Sequence, residues 1–216
     1  MAVLAKICGL NSPEAVEAAL DGGAGYLGFV FYPPSPRAVT PEQAAALAQP
    51  VPPGIAKVGL FVDADDDTIR HAVRTVDLDM IQLHGKENAR RVKAVRNTFF
   101  KTVIKAIKIS AKADLAAAKP FEEIADWLMF DAKVERRGAL PGGNGVAFDW
   151  TILKGAQVDC PWMLSGGLNP GNLVEAVRMT GAMAVDVSSG VEDSPGIKNP
   201  AKIKAFLDAA RVAEML

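Results

Sequence analysis

Short apolar runs alternate with stretches of helical spacing along the whole chain, and this alternation limits the folds open to it. The runs are "AVLAKI", "YLGFVF", "AKVGLFV", "DMIQLH", "TVIKAI", "WLMFDA", "PWMLS" and "AVDVS". Each has the length of a buried strand and is rich in Val, Ile, Leu or Phe. Several are apolar nearly throughout, as strands are when both faces of a parallel sheet are covered. Between them, "PEAVEAALDGG" sets Ala15, Ala19 and Leu20 against Glu14, Glu17 and Asp21, an apolar stripe at helical period. "PEQAAALAQ", "DTIRHAVRTV", "ENARRVKAVR", "GNLVEAVRMTG" and "AKIKAFLDAARVAEM" repeat the device.

The punctuation agrees. Ser12-Pro13, Thr40-Pro41, Asn169-Pro170 and Asn199-Pro200 each read as an N-cap followed by proline at the first helical position. Thr40 with Gln43 also fits a capping box. The stretch from Ser110 to Asp126 has no clear period, and Pro120 breaks any helix there. Eight strand-plus-crossover units in 216 residues leave about 27 residues each, close to the minimum for such a unit. The expected architecture is a single-domain, compact (β/α)8 barrel over residues 1–216. A doubly wound open sheet is the structural alternative. Its dinucleotide fingerprint is matched only by "GAGYLG", which follows a helix and enters a strand, the reverse of the order that motif needs. Gly22 and Gly23 read instead as the end of a helix.

A net charge of −1 gives no electrostatic footprint for nucleic acid. No window reaches the roughly 18 apolar residues of a membrane span, and "MAVLAKICGL" is too short for a secretory signal. The expected setting is the cytoplasm, with Cys8 and Cys160 as reduced thiols.

In such a barrel the active site lies at the C-terminal ends of the strands. There the sequence places Cys8 and Gly9, "FYPPSPR" with Arg37, "QLHG" with His84, "FDAK" with Asp131, the glycine-rich "LPGGNG", "LSGGL" and "DVSSGVE". The last two loops are where this fold builds phosphate sites. Gly166 and Gly167 allow backbone to approach an anion, and Ser189 and Gly190 offer a hydroxyl and N–H groups. A phosphorylated ligand is the expectation.

As a set, "KICGL", "FYPPSPR", "KVGLF", "QLHG", "FDA", "LPGGNG", "LSGGL" and "VDVSSGVE" resemble phosphoribosylanthranilate isomerase, in that family's order and over residues 6–192. The resemblance implies an enzyme of tryptophan biosynthesis. It would convert N-(5′-phosphoribosyl)anthranilate to an open-chain 1-deoxyribulose phosphate by an Amadori rearrangement, with no cofactor and no metal. It implies Cys8 as the general base and Asp131 as the general acid. Asp131 must then hold a proton, which burial or the substrate's carboxylate would favour. Cys8 would gain from a positive field, to which the start of the helix at Ser12 contributes. Arg37, on the stiff "PPSP" loop, is implied as partner of the anthranilate carboxylate. His84 lines the site, "PGGNG" with Gly143 and Gly145 forms a flap over the substrate, and Asp186 orients neighbouring groups or is structural.

Plainer readings stand beside these. A lone cysteine is most often a small buried apolar residue, which is the reading for Cys160. Asp131 would otherwise cap a helix or pair with Lys133, and Lys133, Glu135, Arg136 and Arg137 read as solvated loop residues. Competing functions are another sugar-phosphate barrel such as a pentose-phosphate epimerase, which needs metal-binding histidines where this chain has only His71 and His84, and a non-catalytic phosphate-ligand barrel. Neither nucleic acid nor membrane is an expected partner, and the chain would act as monomer or homodimer.

Overall fold

A computed structural model describes residues 3–132, 142 and 149–213. Its centre is a closed barrel of eight parallel strands in sequence order: β1 (Leu4–Cys8), β2 (Tyr26–Val30), β3 (Ala56–Phe61), β4 (Met80–Leu83), β5 (Thr102–Ile109), β6 (Trp127–Ala132), β7 (Trp162–Leu164) and β8 (Ala184–Val187). The barrel closes where β8 pairs with β1, with Lys6 opposite Asp186 and Ile7 opposite Val187. The open-sheet alternative is thereby excluded.

Six α-helices stand among the described residues: α1 (Pro13–Asp21), α2 (Pro41–Ala48), α3 (Asp66–Val76), α4 (Ala89–Phe99), α5 (Leu173–Thr180) and α6 (Pro200–Ala213). Ser12 caps α1 and Thr40 closes a capping box with Gln43 on α2. The Asn199 side chain accepts from Lys202 N at the start of α6. Asn169-Pro170 does not open α5, which starts three residues later than expected, at Leu173. The Asn169 side chain accepts from Gly171 N, and the Asn172 side chain accepts from Asn169 N and donates to Gly167 O. Those bonds hold the loop after β7 in a turn that competes with helix. Ser110–Asp126 forms two 3₁₀ helices, Lys112–Ala117 and Lys119–Phe121, with Pro120 inside the second. Helix α4 ends without glycine, on Phe100 in the left-handed region at φ 52°, a stop the sequence did not signal.

Alternation sorts each strand's side chains between two cores. Outward residues such as Ile7, Leu27, Phe29, Phe61, Ile81, Phe130 and Val185 pack under the helices. Val58, Met80, Ile104, Met129, Met163 and Ala184 fill the barrel interior. That inner cluster fixes what stands above it. Gln82 follows Met80 by two residues, Asp131 follows Met129, Ser165 follows Met163 and Asp186 follows Ala184, so all four share the inward face.

After β8 the chain forms a short hairpin, β9 (Glu192–Ser194) with β10 (Ile197–Lys198), before α6. Helix α6 buries Ile203, Phe206 and Leu207 and packs on α1, α5 and β1. Among the described residues no helix is long and apolar enough to cross a membrane. Phe206 is fully buried, and Phe206→Ala should lower unfolding free energy by about 3–5 kcal/mol in urea titration.

Candidate active site

At the β1 end, Lys6 and Cys8 are two residues apart and therefore face the same way, into the barrel. Lys6 has no exposed surface. Its Nζ lies 2.8 Å from Asp186 Oδ1 across the β1–β8 seam, and Ser165 Oγ donates to Asp186 Oδ2 at 2.9 Å. The thiol and the ammonium crowd over Gly28 of β2: a Cβ there would sit 3.0 Å from Lys6 Nζ and 3.1 Å from Cys8 Sγ. Burial pushes the Cys8 thiol above its ordinary range, and Asp186 adds to that. Lys6 and Lys198 pull the other way without overcoming it. Burial also works against the Lys6 ammonium, but Asp186 and Cys8 outweigh it and hold the lysine charged above its usual range. A positive field at the sulfur is thus present, supplied by Lys6 and Lys198, yet desolvation outweighs it.

Asp131, at the end of β6, is buried. Its Oδ2 lies 3.0 Å from His84 Nε2, and its Oδ1 accepts from Ala132 N. Gln82, one inward step below His84 on β4, places its Nε2 2.8 Å from His84 Nδ1. The pair has a roof: a Cβ on Gly142 would come within 2.7 Å of His84 Nε2 and 3.2 Å of Asp131 Oδ2. Gly142 is the described residue of the "PGGNG" loop. Gly143 and Gly145 lie outside the described residues, as do Lys133, Glu135, Arg136 and Arg137.

The loop after His84 is braced by a buried ion pair. Lys105 Nζ meets Glu87 Oε2 at 2.7 Å and also donates to Gly85 O. The Glu87 carboxylate in turn accepts from the amides of Asp63 and Gly85. Burial pushes Glu87 up, but the Lys105 charge and hydrogen bond with the Asp63 amide hold it below the ordinary carboxylate range.

Arg37 leans over the turn after β1, where a Cβ on Gly9 would meet its Cδ at 2.7 Å. Its guanidinium grips Glu192 in a fork, Nε to Oε1 at 2.7 Å and Nη2 to Oε2 at 2.8 Å. Lys198 Nζ reaches the same Oε1 at 2.8 Å. Burial pushes Glu192 up, yet Arg37 and Lys198 keep it below the ordinary range.

The two glycine loops come together. A Cβ on Gly190 would sit 1.9 Å from Leu168 O, so the turn after β8 can touch the turn after β7 only with glycine at that place. Gly166 and Gly167 both take positive φ, 85° and 68°. Ser189 opens the 3₁₀ turn Ser189–Val191.

The structure therefore gathers Cys8, His84, Asp131 and Asp186 at the C-terminal mouth, places Arg37 over Gly9 and joins the loops of Gly166, Gly167, Ser189 and Gly190. Cys160 is buried at the opposite end of the barrel, before β7, and both cysteines are free. Among the described residues no group of three or more His, Cys, Asp or Glu side chains is placed to hold a metal ion. Sequence reasoning passed over Lys6, Gln82, Ser165, Glu192 and Lys198. Lys6 was hidden inside an apolar run. The signal that could have found it is Gly28, a glycine inside a strand, which marks a close approach.

Residues 5–209 match the family model described as N-(5′-phosphoribosyl)anthranilate isomerase. The chain belongs to that family. A curated relative of that description from Paramagnetospirillum magneticum is 53% identical over 211 residues, covering 98% of each chain. A crystal structure of phosphoribosyl anthranilate isomerase in complex with reduced 1-(o-carboxyphenylamino)-1-deoxyribulose 5-phosphate superposes with a TM-score of 0.85 at 33% identity, over 97% of this chain and 99% of that one. Generated monomers of the dimeric isomerase from Thermotoga maritima give 0.84 at 33% identity, over 97% and 99%. Family membership makes the chain an isomerase and sets aside the epimerase and non-catalytic alternatives.

Glu87 and Glu192, both held low in the folded state, stabilise it above the unfolded carboxylate value of about 4.3, and that contribution is lost as pH falls through their folded values. Unfolding free energy should therefore drop on acidification below about pH 4.3. Denaturant titrations across pH should show the acid limb flattened in Glu87→Gln.

Proposed function

We propose that the chain isomerises N-(5′-phosphoribosyl)anthranilate to 1-(2-carboxyphenylamino)-1-deoxyribulose 5-phosphate, a step of tryptophan biosynthesis, with residues 1–216 acting as one barrel domain in the cytoplasm, as monomer or homodimer. One observation carries the assignment of roles. Cys8 and Asp131 both lie on the inward parity at the catalytic mouth of a barrel of this family, on strands three places apart around the closed order. A substrate seated over the mouth then has a thiol on one side and a carboxyl group on the other.

Asp131 gives its proton to the furanose ring oxygen. The C1′–O bond breaks, and the anilino nitrogen lone pair moves in to form the C1′=N Schiff base. The Cys8 thiolate removes the C2′ proton, and the electron pair of that C–H bond flows toward the iminium nitrogen. The resulting enolamine takes a proton from solvent at C1′ while its 2′-hydroxyl gives one up, and becomes the 2-ketone. Each proton transfer by a positioned group is worth about 10²–10⁴ in rate. His84 at Asp131 Oδ2 orients the carboxyl group and hydrogen-bonds the carboxylate left when the proton leaves. Lys6 beside the sulfur favours the thiolate at the moment it is needed.

Gly166, Gly167, Ser189 and Gly190 hold the phosphoryl group on backbone N–H groups and a hydroxyl. Arg37 meets the anthranilate carboxylate, Asp186 fixes Lys6, and Gly143 and Gly145 belong to the flap that excludes water.

Cys8→Ala and Asp131→Asn should each lower kcat on phosphoribosylanthranilate by at least about 10² while circular dichroism stays native. Near-normal turnover in both variants would remove these role assignments. A thiol held above its ordinary value ionises late, so kcat/KM of the native protein should still be climbing above about pH 8.5. Stopped-assay pH profiles should lose that limb in Cys8→Ala.

A further inference from the structure

The motif "SSGVE" ends in Glu192, a buried carboxylate that the reaction above does not use. We propose that Glu192 is a positioning residue: it presets the Arg37 guanidinium and, through Lys198, ties it to the phosphate turn. This rests on the function proposed above and adds residues to it.

The contacts form one continuous path. Glu192 takes the Nε–Nη2 edge of Arg37 in a bidentate fork at 2.7 and 2.8 Å. Such forks fix both distance and plane. Glu192 thus sets the plane in which the Arg37 guanidinium is held. Lys198 Nζ bonds Glu192 Oε1 at 2.8 Å, Ser188 O at 2.9 Å and Ser188 Oγ at 3.2 Å. Ser188 directly precedes Ser189 and Gly190, the proposed phosphate turn.

The hairpin that carries these two residues also braces the other loops. A Cβ at its tip, Gly196, would sit 2.4 Å from Pro36 O, next to Arg37. Asn11 Nδ2, three residues beyond Cys8, donates to Gly196 O at 2.9 Å. Strands β9 and β10 therefore work as a strut between the base loop, the arginine loop and the phosphate turn. A buried charge pair is a poor device for stability alone, since well-packed apolar residues serve as well. Its fixed geometry is what an apolar replacement would lose.

The test is steady-state kinetics on phosphoribosylanthranilate with inorganic phosphate as inhibitor, alongside thermal unfolding. The native chain must first turn the substrate over, and failure there sinks the parent reading rather than this one. Glu192→Gln should raise KM by about tenfold or more, the order expected for loss of a charge-assisted hydrogen bond, with kcat within about threefold. Lys198→Met keeps the fork and cuts the tie to Ser188. It should weaken phosphate inhibition by several-fold while raising KM less. A KM in Glu192→Gln within twofold of native overturns the proposal, as does a fall in kcat with KM unchanged. Should Glu192→Gln not fold, Lys198→Met decides alone: unchanged phosphate inhibition overturns it.

Discussion

A lysine with no access to water sits inside this barrel, and much of the rest is arranged around keeping it charged. Lys6 is held by Asp186 across the strand pair that closes the barrel. Removing either partner would strand a buried charge, typically at a cost of about 3–5 kcal/mol. Asp186 is satisfied in turn by Ser165, so three adjacent strands, β7, β8 and β1, meet in one polar contact. Gly28 of β2 withholds a side chain so that the ammonium and the Cys8 thiol can share the remaining space.

On the proposed roles, that arrangement gives a base that is stored rather than spent. Burial raises the Cys8 thiol and two lysines oppose the rise, so the sulfur stays protonated at rest with a cation in place for its anion. The β4–β6 side is tied by side-chain bonds. Gln82 stands one inward step below His84, His84 meets Asp131 Oδ2, and Gly142 closes over the pair. Cys8 stands one inward step above the polar Lys6, whereas Asp131 stands one step above the apolar Met129.

The polar network at the rim has a different geometry. Glu87 with Lys105 and Glu192 with Lys198 lie in or beside loops, not in the barrel interior, and each carboxylate binds backbone amides or a guanidinium as well as its lysine. These are the points at which loops of variable shape are pinned to a rigid frame, which is how sites on this fold keep precision while sitting on connections.

Local chemistry alone determined a good deal. Eight apolar runs, four cap-proline pairs and the ordering of glycines around "GAGYLG" were enough to choose a barrel over a dinucleotide fold, because strand burial and helix starts depend on near neighbours in the chain. Cys8, Asp131, His84 and the paired glycine loops were legible because the fold places strand C-terminal ends at one mouth. What only the tertiary structure decided is who faces whom. Asn169-Pro170 reads as a helix start, yet the loop needs its bonds for a turn against Gly167. Lys6 reads as an interruption in an apolar strand, and its partner lies 180 residues away. Arg37 reads as a free fork for a ligand, and its fork is filled by Glu192, 155 residues on. Pairings of that kind arise from barrel closure, which brings first and last strands together and leaves no trace in any local window.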